Sequence, residues 1–305
     1  MSAAPVLFGY AAVVGVVAPR LLLRSAWPYR APVLALAVWH GLIVSFTLAV
    51  ALAAHQLAAP TEHLHADLIG FLHACGLTAA SGVPDPTITE RLAFALPFSV
   101  LLLVLGGFAV EVLRGRRARA RHRRVLDLVG RRTPKLAATV VEHERPAAYC
   151  LPGRRPRVVV SAGALRLLSP GQLAAVLAHE RAHITGRHHL VLAAAEAFAR
   201  LARRLPLARH AREQTAVLLE MIADDRALRR HPRDVLATAM YEMAAARSAP
   251  AGAFAVGGPS ALVRLRRVLH PQRRPHPVLR GAVAAGAALT PVLPLLFGCV
   301  PTPFG

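Results

Sequence analysis

Residues 173–190 read Leu-Ala-Ala-Val-Leu-Ala-His-Glu-Arg-Ala-His-Ile-Thr-Gly-Arg-His-His-Leu. Within them His179-Glu180-Arg181-Ala182-His183 spells HExxH. Side chains four positions apart share one face of a helix, so His179 and His183 can direct their imidazoles at a single point. Two neutral imidazoles there make half of a tetrahedral zinc site, and Glu180 sits beside them as general base for a water molecule. The helix is well signalled. Ser169 is a natural N-cap, Pro170 suits the first helical position, Gln172 completes a capping box, and Leu173, Val176 and Leu177 supply an apolar face. The residues from Leu173 to Ala178 carry no charge, so a glutamate arriving between two histidines on so apolar a helix needs a partner.

A catalytic zinc needs a third protein ligand and an open position. Two residues compete for that place. His189 completes the longer spelling HExxHxxGxxH, in which the helix ends at Gly186 and the last histidine returns from a loop. Glu220 lies in Glu220-Met-Ile-Ala-Asp224, with Asp224 one turn further on and placed to hold the free N–H of a ligating histidine. The run after Gly186 reads as continuing helix, which would turn His189 to another face, and Met221 lies in a helical pattern, so no methionine turn follows. Glu220 is therefore the expected third ligand. No oxyanion donor stands out, and Tyr241 and Arg264 are the residues to consider.

The surrounding chain is membrane-like. Of 305 residues 55% are hydrophobic, and the formal net charge of +21 comes almost wholly from arginine, Lys135 being the only lysine. Apolar stretches at Ala4–Leu23, Ala31–Ala54, Leu92–Leu113 and Gly281–Val300 are each long enough for a bilayer, which requires about 20 residues. Arginines lie at the end of the first stretch and just after it, at Arg20, Arg24 and Arg30, and again from Arg114 to Arg124 and from Arg264 to Arg280, whereas 31–90 contains no Lys or Arg. The positive-inside rule then puts residues 114–280 in the cytoplasm, and both termini and the 55–90 loop outside. The arginine runs read as topology signals and lipid-headgroup contacts, not as a nucleic-acid surface. In the outer loop His63, His65 and Asp67 read as the polar face of a short amphipathic helix. Cys75, Cys150 and Cys299 are too scattered for a disulfide framework, and Cys150 is expected to be a packing residue.

The expected organisation is a mostly α integral membrane protein with four transmembrane helices. Residues 1–113 form a three-span region, 114–280 a cytoplasmic α+β domain, and 281–305 a fourth span with a short outer tail. In the cytoplasmic part Val125 to Val129 reads as a helical linker. Ala138–Val141, Ala147–Leu151 and Arg157–Val160 read as strands, the last two joined as a hairpin by Pro152-Gly153. Helices follow at Leu190–Leu205, Arg212–Arg229 and Pro232–Ala246.

These features together resemble the BlaR/MecR-type membrane zinc peptidases, which transduce the beta-lactam signal, and more distantly HtpX and the CAAX prenyl proteases. The resemblance rests on Leu177-Ala-His179-Glu180-Arg-Ala-His183, on His188-His189 after it, on Glu220-x-x-x-Asp224 and on three spans before the domain and one after. It implies a gluzincin-type peptidase domain with one zinc ion per chain held by His179, His183 and Glu220. Glu180 would be the catalytic base and Asp224 the support of a ligand. It also implies a signal-transducing endopeptidase whose partner is a small winged-helix repressor. The antibiotic sensors carry a penicillin-binding domain outside, after the last span, and here only five residues follow Val300. The competing expectation is a non-enzymatic membrane sensor or scaffold whose cytoplasmic domain zinc merely stabilises.

Overall fold

The computed structural model describes residues 4–58, 88–247, 258–270 and 276–299. The fold is mostly helical. Three described helices are long and apolar enough to cross a membrane: Ala4–Arg24 (α1), Pro32–Leu57 within α2 (Pro32–Ala58), and Ala95–Val129 within α3 (Ile88–Val129). α1 contains a π-helical turn at Val13–Val17. At 42 residues α3 is about 63 Å long, roughly twice the hydrocarbon core, so span and arginine run form one unbroken rod. The expected linker at Val125 to Val129 is the end of that rod. The outer-loop residues His63, His65, Asp67 and Cys75 lie outside the described residues.

A four-stranded sheet follows, made of β1 (Gly130–Thr133), β2 (Ala138–Val141), β3 (Ala148–Leu151) and β4 (Arg157–Ser161), in the order β1-β2-β4-β3. The β3–β4 hairpin forms as read, with Leu151 opposite Arg157, while β2 runs parallel to β4. β1 had no strand pattern in its sequence, Gly-Arg-Arg-Thr; it is a strand because it pairs antiparallel with the buried β2. β3 is left as an edge.

Helices α4 (Ala162–Leu167), α5 (Pro170–Thr185), α6 (His188–Leu201), α7 (Pro206–Ala227), α8 (Arg233–Arg247) and α9 (Gly258–Leu269) complete the domain. α5 starts as expected: the Ser169 hydroxyl accepts from Gln172 N, and the Gln172 side chain accepts from Ser169 N at 2.7 Å. Leu173 and Leu177 pack onto Ala138, Val158 and Val160 of the sheet and onto Ala239 and Met243 of α8.

α5 does not run on past Gly186. The helix ends there, Arg187 takes a left-handed conformation at φ 49°, and α6 restarts at His188. Propensity alone favoured continuation, but a Cβ on Gly186 would collide with the His188 ring, so the glycine admits a reversal that folds His188 back.

The fourth apolar stretch also differs from expectation. It forms two short helices, α10 (Pro277–Leu289) and α11 (Leu293–Cys299). Pro294 has no amide hydrogen to give the Thr290 carbonyl. That carbonyl instead accepts from Tyr10 Oη of α1 at 3.1 Å and Ser45 Oγ of α2 at 2.8 Å.

The long apolar N-terminal helices and the helices that follow the sheet share one core. Leu207, Ala208, Ala211, Leu218 and Met221 of α7 pack with Phe198 of α6, Val14 of α1, and Ala35, Trp39, Leu42 and Ile43 of α2. The helix that carries Glu220 is therefore seated directly on the apolar N-terminal helices.

Candidate metal centre

His179 and His183 come from one face of α5, Glu220 from α7. Their donor atoms form a compact triangle. His179 Nε2 lies 3.1 Å from His183 Nε2 and 3.5 Å from Glu220 Oε2, and His183 Nε2 lies 3.3 Å from Glu220 Oε1. Glu220 reaches this point because Leu218, Leu219, Met221 and Ile222 on either side of it are buried, leaving its own side chain at the cleft surface.

The outward nitrogens are held as well. His179 Nδ1 is 2.9 Å from Oδ1 of Asp224, a residue fully buried at 0% exposure. His183 Nδ1 is 2.9 Å from His188 Nδ1. Arg264 of α9 clamps the carboxylates from behind: Nε and Nη2 donate to Asp224 at 2.8 Å each, and Nη1 reaches Glu220 at 2.7 Å. Arg226 Nη1 donates to the Ala182 carbonyl at 3.0 Å and so fixes the end of α5.

This arrangement calls for a cation. When both rings are neutral with Nδ1–H turned outward, two Nε2 lone pairs face each other across 3.1 Å beside a carboxylate, a repulsion that a proton on His179 or a bound cation relieves. The three separations match the edge of a tetrahedron about zinc, about 3.3 to 3.4 Å for bonds of 2.0 to 2.1 Å. The donor set, two imidazoles and a carboxylate, suits that ion. The residues present therefore fit a zinc site, and His179, His183 and Glu220 form the one candidate metal cluster among the described residues.

Electrostatics agree with the geometry. Burial pushes the His179 imidazole down, but its hydrogen bonds to the Asp224 and Glu220 carboxylates outweigh it and raise the pKa to about 9. Burial also opposes ionisation of the two carboxylates, yet the His179 hydrogen bond and Arg264 take Glu220 down to about 2, and Arg264 and His179 do the same for Asp224. His183 is held below its usual value by burial, and His188 falls to about 4 through burial and the neighbouring His183 and Arg226.

Glu180 lines the same cleft of about 520 Å³, together with Tyr149, Cys150 and Leu151 of the β3 edge. Cys150 is more than the packing residue expected. Its thiol is hydrogen-bonded to Glu180, and burial together with that carboxylate pushes its pKa up to about 12, so the thiol is the donor.

His189 lies outside the metal cluster although it lines the cleft. Tyr241 is 57% exposed and is not part of the cleft wall. Arg264 is at the site, but all three of its guanidinium nitrogens are engaged by Asp224 and Glu220, which makes it a clamp on the ligands and leaves the oxyanion role without support. His188 and Arg264 were legible only in part: Gly186 marks a chain reversal, whereas nothing in the spacing ties Arg264 to a site 40 residues earlier.

Residues 113–223 match peptidase family M48. The matched segment takes in the end of α3, the sheet, α5, α6 and most of α7, hence His179, Glu180, His183 and Glu220 but neither Asp224 nor Arg264. The match supports a metallopeptidase of the M48 type in this part of the chain. No curated protein and no solved structure matches the chain.

Proposed function

We propose that the chain is an integral-membrane zinc endopeptidase that cuts protein substrates at the cytoplasmic face of the membrane. The observation that carries this reading is the convergence of His179, His183 and Glu220 at zinc-ligand separations, with Glu180 in the same cleft. His179, His183 and Glu220 would hold one zinc ion. When bound, zinc supplies Lewis-acid polarisation of the scissile carbonyl and makes water acidic near neutral pH. Glu180 takes the proton of the attacking water and passes it to the leaving amine. Asp224 and His188 keep the two ligand imidazoles in the tautomer that offers Nε2 inward. The free edge of β3 borders the cleft and can receive an extended substrate as an added strand.

The topology that goes with this reading has both termini and the 55–90 loop outside and the arginine-rich end of α3 inside, against anionic headgroups. The BlaR/MecR-type pattern extends the proposal to a signalling protease whose substrate is a winged-helix repressor.

The deciding experiment is metal analysis and proteolysis on the detergent-purified chain. One zinc per chain is expected, with cleavage of an unfolded protein that a chelator abolishes and added zinc restores. Stoichiometric zinc with no cleavage of any substrate would favour a sensor or scaffold. Proteins that accumulate in a Glu180→Gln strain would identify the substrate.

A further inference from the structure

The cleft contains a second group of residues that the chemistry above does not use. Leu192, Ala216 and Val217 form an apolar wall, and Arg119 of α3 and His189 of α6 stand beside it. Both polar residues have unmet needs. Among the described residues Arg119 forms no ion pair with a carboxylate: Glu180, in the same cleft, is hydrogen-bonded by the Cys150 thiol, and the acids on the neighbouring helices have other partners. Glu111 is bound by Arg114 and Arg200, Glu196 lies 4.0 Å from Arg212, Glu213 faces His210, and Glu220 is held by Arg264. The Arg119 guanidinium lies over Gly115, with Nη1 2.8 Å from where a Cβ would stand. His189 Nδ1 is buried without a hydrogen-bond partner, and Arg119 is near enough to act on this ring electrostatically.

We infer that Arg119 and His189 form a subsite that selects a carboxylate of the substrate beside the scissile bond. The inference rests on the peptidase reading above. A carboxylate supplies what both groups lack: a counter-ion for the guanidinium and an acceptor for the ring N–H. The apolar wall takes the methylene stem of Glu or Asp, or the last side chain of a chain that ends there. A lysine in this position meets Arg119 at short range and is rejected.

The test uses full-length protein and fluorogenic peptides in which Glu, Gln or Lys is moved through each position flanking the cleaved bond. Each peptide is made with a free and with an amidated C-terminus. Wild type should prefer Glu over Lys at one position by roughly tenfold in kcat/KM, the order of one partly screened charge pair. Loss of the preference on amidation would assign it to a chain terminus, and persistence to a side chain. Arg119→Glu should invert the preference, Arg119→Gln should flatten it, and Arg119→Lys should keep its sign, zinc content serving as the check on folding. Equal rates for Glu, Gln and Lys, or a preference that survives Arg119→Glu, overturns the inference. Binding of the same peptides to Glu180→Gln protein, read by fluorescence anisotropy, separates the two readings. Charge-selective binding without cleavage by wild type removes the peptidase and keeps the subsite, while cleavage without charge selection removes the subsite alone.

Discussion

Asp224 Oδ1 lies 2.9 Å from His179 Nδ1, and Asp224 is itself completely buried. The contact joins the middle of α5 to α7 and holds the His179 ring in the orientation that the proposed metal site would need. It also separates the roles of the two acids of the Glu220-x-x-x-Asp224 pair. Asp224→Ala should lower zinc affinity by about 10- to 100-fold, the range of a lost ligand support. Glu220→Ala should abolish stoichiometric zinc, and His189→Ala should retain it. Metal titration of the three variants checks this; zinc lost in His189→Ala and kept in Glu220→Ala would reverse the assignment.

Arg264 neutralises two carboxylates at once, one of them fully buried. Arg264→Met leaves Asp224 without its bidentate partner, and removing one member of a buried pair costs about 3 to 5 kcal/mol. Arg264→Lys keeps a charge but loses the fork, so it should recover only part of the loss. Thermal melts and zinc titration should move together in both variants. An unchanged melting temperature in Arg264→Met would refute the clamp.

In the proposed mechanism Glu180→Gln removes the base and leaves His179, His183 and Glu220 in place. Its zinc content should equal that of wild type while proteolysis is lost. Zinc lost together with activity would mean that Glu180 holds the metal and is not the base.

The pKa of His179 sets a pH dependence in the metal-free protein. Its folded value of about 9 lies above the ordinary 6.5, so its stabilisation is complete below about 6.5 and disappears as pH rises through about 9. Glu220 and Asp224, both at about 2, contribute fully above their ordinary 4.5 and 3.8 and lose that contribution as pH falls toward about 2. Melting temperature of the metal-free protein should therefore be highest between about pH 4.5 and 6.5 as far as these groups govern it. Zinc must displace the His179 proton, so uptake at pH 7 should release about one proton per chain and tighten toward pH 9. Calorimetry in buffers of different ionisation enthalpy measures that proton; zero release would contradict the protonated state.

Cys150 reports on Glu180. With its pKa at about 12 against an ordinary 9.0, its thiolate fraction near neutrality is reduced about a thousandfold. In a Cys75→Ser, Cys299→Ser background, iodoacetamide should modify Cys150 far more slowly than a free thiol. Adding Glu180→Gln removes the carboxylate charge and should speed the reaction. Equal rates with and without Glu180 would show that the two side chains do not interact.

The sequence alone determined the features that depend on neighbours along the chain. Helical spacing places His179 and His183 on one face, and the capping residues Ser169 and Gln172 fix where α5 begins. Short strand-like apolar runs and Pro152-Gly153 set the β3–β4 hairpin, and long apolar runs mark α1, α2 and α3. Tertiary structure decided what lies between distant segments. Only packing of α7 on α1 and α2 directs Glu220 toward the histidines, and only the docking of α9 brings Arg264 onto Asp224. The same holds for the break at Gly186: local propensity favoured a continuing helix, but a single left-handed residue at Arg187 lets His188 meet His183, and α6 gains its own seat against α7 and the apolar N-terminal helices. Local propensity is worth tenths of a kcal/mol per residue, whereas each fully buried side chain in that seat is worth about 2 kcal/mol, so packing overrides it.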